Sequence, residues 1–225
     1  MNPNFRQYVV TGTDTGLGKT VFAAALSHAV NGIYWKPVQA GLEPTDTETV
    51  ALLSGRPVLP ESYRLKLAAS PHRAAAAEGV TIEPARLTLP EIEAPLIVEG
   101  AGGLLVPLTE DTLYIDVFAR WNAPLILCAR TSLGTINHTL LSLEAIRARN
   151  IPLLGIAFVG EANDESERVI GKFGKLCIWL NRLSDNLSHR IIATDADVII
   201  RPIDAIGQGQ IADFHLTAAS CQFLA

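Results

Sequence analysis

The chain has 225 residues, a net charge of −5, and a composition 48% hydrophobic and 18% charged. This reads as one globular domain with enough apolar side chain for a sizeable core, and it excludes a disordered or low-complexity chain. The acidic balance gives no general attraction to nucleic acid or to an anionic membrane face, and no run of about 18 apolar residues or apolar leader suggests a membrane span or a signal peptide.

The pattern along the chain is strand, loop, helix, repeated. Gln7–Thr11 is the first expected strand, and it opens into the glycine-rich loop "GTDTGLGKT" at 12–20. Lys19–Val30, "KTVFAAALSHAV", has the alanine and leucine content of a helix. Ile33–Val38 is the second expected strand. Thr45 followed by Glu48 has capping-box spacing and predicts a helix running to about Ser54. Residues 55–95 are rich in proline and should hold only short elements, among them a helix in "HRAAAAEG" stopped by Gly79. Pro95–Glu99, Pro124–Ala129 and Leu153–Val159 are apolar runs without alternation, as expected of strands buried on both faces. "TINHTLLSLEAIRARN" is an amphipathic helix between the last two.

Strands alternating with helices imply a fold of the α/β class: a single domain over 1–225 with a mostly parallel central sheet and helices on both faces. Ligands in such sheets bind beyond the carboxyl ends of the strands, so polar residues just after a strand are the candidates.

The opening loop meets that criterion. Its glycines let backbone N–H groups turn inward, and the N-terminus of the next helix favours an anion. Gly16, Leu17, Gly18, Lys19, Thr20 and Val21 form the candidate phosphate cradle, with Lys19 directed at the terminal phosphates and the Thr20 hydroxyl at Mg²⁺. The spacing is one residue longer than a strict P-loop, because Thr13 stands where the first glycine would fall. Glu99 closes "PLIVE" and precedes "GAGG" at 100–103. A buried carboxylate at a strand end needs a partner or a metal, and beside a phosphate loop it can hold Mg²⁺. Lys36 closes the second strand, where a surface lysine and a functional one fit the pattern equally. Asp46 in "PTDTE" fits an acid favouring a helix N-terminus, and the pattern alone leaves it there.

Other chemistry is absent. There is no HExxH, GxSxG or metal-binding His/Cys spacing, and His28 reads as structural. Cys128, Cys177 and Cys221 are odd in number and form no CxxC pair, which suits idle thiols in a reducing cytoplasm.

Taken together, "GTDTGLGKT", "WKPVQAG", "SPH" at Ser70–His72, "VEGAGGLLVPL" and "LGTINH" resemble, in order and spacing, the dethiobiotin synthetase family of P-loop NTPase type. The resemblance spans about residues 7–160. It implies a homodimeric, cytoplasmic, ATP- and Mg²⁺-dependent ligase that carboxylates 7,8-diaminononanoate with CO₂ and closes a cyclic urea. It implies Lys36 and Lys19 as catalytic residues and Thr20, Asp46 and Glu99 as the Mg²⁺ ligands. Gly100, Ala101 and Gly102 join the nucleotide site. Thr15, Ala40, Gly41 and Asn137 face the diamine, Asn137 across the dimer interface. The sequence departs from the family in having Ala40 where many relatives have Ser or Thr, with Gln39 as a candidate replacement donor. Gly16 stands where some have glutamate. At the end of the fifth core strand, Val159-Gly160 stands where an Asn-Asp pair often meets the base, with Asn163-Asp164 a few residues later. From about Gly171 the resemblance stops, as an altered reading frame would produce. Two rivals share the loop. An amidating ligase of the corrin-acid type should carry a glutamine-hydrolysing domain, for which no room is left after residue 160. A nucleotide-switched partitioning ATPase should carry a basic or amphipathic tail, and "QIADFHLTAASCQFLA" has no Lys or Arg.

Overall fold

The computed structural model describes residues 7–174 and the short strands at 181–183, 189–193 and 198–202. Cys177, Cys221 and most of the stretch beyond Gly171 therefore lie outside the described residues.

Seven strands form one sheet: β1 (Gln7–Gly12), β2 (Ile33–Trp35), β4 (Val58–Leu59), β6 (Leu96–Gly103), β7 (Leu125–Arg130), β8 (Leu153–Val159) and β9 (Asn181–Leu183). Their order is β4-β2-β6-β1-β7-β8-β9, and every pairing is parallel. β3 (Val38–Ala40) and β5 (Tyr63–Leu65) make a separate parallel pair, and β10 (His189–Ala193) and β11 (Val198–Pro202) an antiparallel one.

Both faces of the sheet are apolar, as the unalternating runs require. On one face Tyr8, Val10, Ile126 and Cys128 pack against α1 (Lys19–Ala29) and against Val50 of α2 (Asp46–Ser54). On the other, Val9, Leu125, Leu127 and Phe158 pack against α3 (Pro71–Ala77), α4 (Tyr114–Trp121), α5 (Thr135–Ala148) and α6 (Asp164–Gly174). Burying each such side chain contributes roughly 1.5–3 kcal/mol.

Two expectations need correction. The second strand is not continuous over 33–38. Pro37 has no N–H to give the ladder, so the chain leaves the main sheet after Trp35 and Val38–Ala40 pairs with β5 instead. Glu99 does not end its strand. β6 continues to Gly103, with a register shift that puts Val10 opposite Glu99 but Gly12 opposite Gly103, so the glycines of 100–103 form a bulge inside the strand and not a loop after it. Helices α4 and α6 were not anticipated. The capping box of α2 is present as expected: the Thr45 side chain accepts from the Glu48 N–H and the Glu48 carboxylate accepts from the Thr45 N–H.

Candidate functional site

The loops after β1 and β2, the bulge of β6, and α2 meet at the carboxyl edge of the sheet, as strand order dictates. They enclose a cleft of about 1070 Å³. Thr15, Gly16, Gly18, Lys19, Thr20, Lys36, Ala40, Gly41, Asp46, Glu99, Ala101 and Gly102 all line it. Leu17 is buried in the core beneath the loop, and Val21 and Gly100 are also absent from the lining, so contact with a ligand from Leu17 or Val21 would have to come from the backbone. Asn137 is exposed on α5, and the chain does not bring it to its own cleft.

Helix α1 begins without a side-chain cap: Gly18 is its N-cap, at φ 98°. The first-turn N–H groups are left for an anion. Gly18 is required twice over, by its left-handed backbone and because a Cβ there would lie 2.7 Å from Val159 Cγ1. Lys19 bends back and donates to the Asp14 carbonyl at 2.8 Å. Burial pulls its pKa down by more than Glu99 raises it. The exposed side of the loop is pinned by Arg130, at the end of β7, whose Nη2 donates to Asp14 Oδ2 at 2.6 Å.

The charged cluster follows from strand alternation. Tyr34 is opposite Ile97, so Tyr34 and Lys36 on one side and Ile97 and Glu99 on the other project from the same face, the face that α1 covers. The Lys36 ammonium lies 2.6 Å from Asp46 Oδ2 and 3.1 Å from Glu99 Oε1, and it donates to the Gly100 carbonyl at 3.1 Å. Burial works against its charge, but Glu99 and Asp46 outweigh burial and hold the ammonium above its ordinary value. Burial would raise the Asp46 carboxyl, yet Lys36 outweighs it and keeps Asp46 below the usual carboxylate range. Glu99 is 1% exposed, so its charge stands on these partners.

The Thr20 hydroxyl lies 3.1 Å from Asp46 Oδ1 and 3.0 Å from Glu99 Oε1. It has one proton and cannot donate to both carboxylates at once. Both distances are close to the roughly 2.9 Å that separates neighbouring ligand oxygens around Mg²⁺ at Mg–O distances of about 2.0–2.1 Å. The residues present therefore fit Mg²⁺, which takes few protein ligands and keeps waters and substrate phosphates. Among the described residues no three His, Cys, Asp or Glu side chains gather as a metal site, so nothing there offers a zinc-like cage.

Two contributors were not anticipated. Tyr34, fully buried, donates to Glu99 Oε2 at 2.9 Å, and its phenol is pushed well above its ordinary value by burial and then by Glu99. Its signal was in the sequence, two residues before Lys36 in "YWK" and therefore on the same face. Arg130 gave no pattern signal. Gln39 turns out to be committed: Nε2 donates to the Gly41 carbonyl and Oε1 accepts from the Asp46 N–H, tying β3 to the start of α2. It positions Asp46, and its side chain also lines the cleft beside Ala40. Asn163 is held at both ends of its amide, with Oδ1 accepting from the Ser166 N–H at the start of α6 and Nδ2 donating to the Thr131 carbonyl. His28 is structural, its Nδ1 bonded to the Ser54 carbonyl between α1 and α2.

Residues 6–184 match the family described as AAA domain. ATP-dependent dethiobiotin synthetase of Rhodopseudomonas palustris strain HaA2 is 66% identical over 172 residues, covering 75% of this chain and 81% of that protein. The enzyme of the same name from Agrobacterium fabrum strain C58 is 60% identical over 172 residues, with the same coverage of 75% and 81%. A ParA family ATPase from Chlorobium tepidum superposes with a TM-score of 0.51 over 81% of this chain and 84% of that one. At 14% identity that likeness is one of fold alone.

Proposed function

The chain belongs to the ATP-dependent dethiobiotin synthetase family, and from that premise we propose that it joins 7,8-diaminononanoate and CO₂ into the cyclic urea of dethiobiotin at the expense of ATP. The observation that carries the reading is Lys36: a buried ammonium within 3.1 Å of both Asp46 and Glu99, at the junction of the phosphate loop and the wall formed by Ala40 and Gly41.

One amine of the substrate takes up CO₂ as a carbamate. A carbamate oxygen then attacks the γ-phosphorus, the bond to ADP breaks, and ADP leaves with the electron pair. The second amine attacks the carbonyl carbon of the mixed anhydride, loses a proton, and phosphate departs as the ring closes. Carbamate and triphosphate are both anions, so their approach needs fixed positive charge between them. Lys36 supplies it from the sheet, and Lys19, released from the Asp14 carbonyl, supplies it from the loop. The N–H groups of the loop and of the first turn of α1 receive the phosphates. Thr20, Asp46 and Glu99 would hold Mg²⁺, which neutralises developing charge on the phosphates.

The wall from Gly41 through Ala68 and Ala69 to Gly102 has room for an aliphatic diamine. Asn137 and Leu141 sit one helical turn apart, both exposed on α5, and suit a two-fold contact in which Asn137 reaches the partner's substrate. No helix among the described residues is long and apolar enough to cross a membrane; the cytoplasmic location in this proposal rests on the family resemblance.

The test is ADP release by purified protein with Mg²⁺, ATP and bicarbonate, with and without the diamine, and mass spectrometry for the cyclic urea. Diamine-dependent ADP release with formation of the urea is expected. ATP hydrolysis indifferent to the diamine would refute the ligase and favour a nucleotide-switched ATPase.

A further inference from the structure

Glu99 has two carboxylate oxygens, and the structure gives them separate tasks. Oε1 faces the cleft, 3.0 Å from the Thr20 hydroxyl and 3.1 Å from Lys36 Nζ. Oε2 accepts from the Tyr34 hydroxyl at 2.9 Å. Tyr34 is fully buried, diagonal to Glu99 across the β2–β6 pairing and packed among the apolar side chains under α1. The phenol has no solvent to turn to. Were Oε2 to swing toward the cleft, a buried hydroxyl would be left without its acceptor, a costly state in a dry site.

This division bears on which cation the cluster accepts. Mg²⁺ takes six oxygens at about 2.0–2.1 Å, and one oxygen from each carboxylate serves it well. Ca²⁺ takes six to eight at about 2.3–2.6 Å and commonly draws both oxygens of a carboxylate. Resting on the Mg²⁺ reading of this site, we propose that Tyr34 is a specificity-determining positioning residue: by reserving Oε2 of Glu99 it forces single-oxygen coordination and favours Mg²⁺ over Ca²⁺. Tyr34 is fully buried and does not line the cleft. It acts through Glu99, as partners behind metal ligands do elsewhere.

The experiment measures binding of a non-hydrolysable ATP analogue by calorimetry, as its Mg²⁺ complex, as its Ca²⁺ complex and free of metal, in wild type and Tyr34→Phe. Wild type should bind the Mg²⁺ complex more tightly than the Ca²⁺ complex. In Tyr34→Phe the ratio of the two Kd values should fall about tenfold, with metal-free binding unchanged. In a Glu99→Gln background, adding Tyr34→Phe should leave the ratio where Glu99→Gln alone puts it. A ratio untouched by Tyr34→Phe, or one that shifts equally with and without Glu99, overturns the proposal. A wild type that binds both complexes equally overturns it with no variant needed. If metal makes no difference to binding in wild type, the Mg²⁺ reading itself is what fails.

Discussion

The two ends of the cleft are built on opposite plans. At the phosphate end, charged side chains hold one another: Lys36 is paired with Asp46 and Glu99, Thr20 touches both carboxylates, and Tyr34 closes the back. Around Ala40, Gly41, Ala68, Ala69 and Gly102 the cleft offers mainly small side chains and backbone, with Gln39, Glu43, Lys66 and Ser70 as polar side chains beside them. A polyanion and its metal need fixed charge that does not reorganise on binding. A flexible aliphatic diamine needs mainly space and a few donors. The difference predicts that damage at the first end abolishes chemistry, while changes at the second adjust affinity.

The sharpest way to break that contrast is Lys36→Met. It leaves the Glu99 carboxylate buried without its ammonium, and breaking such a pair costs about 3–5 kcal/mol. We expect cyclic-urea formation to fall by at least about 1000-fold, with a lower melting temperature. Diamine-dependent turnover near the wild-type rate would show that the cluster is structural only. Next in size is Gly18→Ala, which puts a Cβ 2.7 Å from Val159 Cγ1 on a backbone held at φ 98°. Strain of about 1–3 kcal/mol at the phosphate cradle should weaken nucleotide binding by roughly 10- to 100-fold in a fluorescence titration. Adding Val159→Ala should recover the part due to contact and not the part due to φ. Full recovery would mean the left-handed backbone is dispensable.

The same contrast explains what could be read in the sequence. Lys19 and Thr20 stood out because they close a glycine-rich loop between a strand and a helix, and Glu99 because a carboxylate at the end of an apolar strand is costly unless used. The parallel strands and α2 with its capping box were legible from local pattern. Asp46 was not, since an acid at a helix start has an ordinary use, and only the resemblance drew attention to it. The glycines at 100–103 looked like a loop because propensity cannot foresee that β1 pairs on past the bulge to Gly103. Pro37 was taken as part of a strand that its missing N–H interrupts. The far wall was legible only through the resemblance, which named Ala40 and Gly41 and the stretch at Ser70–His72, of which Ser70 and Pro71 line the cleft. Ala68 and Ala69 come to the cleft by way of the pairing of β3 with β5, and small residues carry no period to read.

A smaller effect should appear with pH. Asp46 has a lowered folded pKa, so its contribution to stability is present above the unfolded carboxylate value and is lost as pH falls through the folded one. Lys36 has a raised folded pKa, so its contribution is complete below the ordinary lysine value and is lost as pH rises through the folded one. Stability from the cluster should therefore be flat through neutrality and fall at both extremes. Asp46→Asn should lower the plateau by about 1.5–3 kcal/mol, the worth of a hydrogen bond to a charged group, and remove its share of the acid limb. Melting curves from neutral into the acid range check this. An unchanged acid limb in Asp46→Asn would assign it to other carboxylates.

The smallest effect tests the other end. Ala40 closes β3 and lines the cleft, and the neighbouring Gln39 side chain already bonds the Gly41 carbonyl and the Asp46 N–H. Ala40→Ser adds one donor on a partly exposed wall without filling the core or touching the Lys36 cluster. A neutral hydrogen bond contributes about 0.5–1.5 kcal/mol net, so the KM for the diamine should fall about two- to tenfold. The kcat should stay within about twofold, since uniform binding does not accelerate the chemical step. The KM for ATP should not move. A change in kcat with no change in the diamine KM would place Ala40 beside the reacting atoms, and the division of the cleft into a charged end and an accommodating end would then fail at that residue.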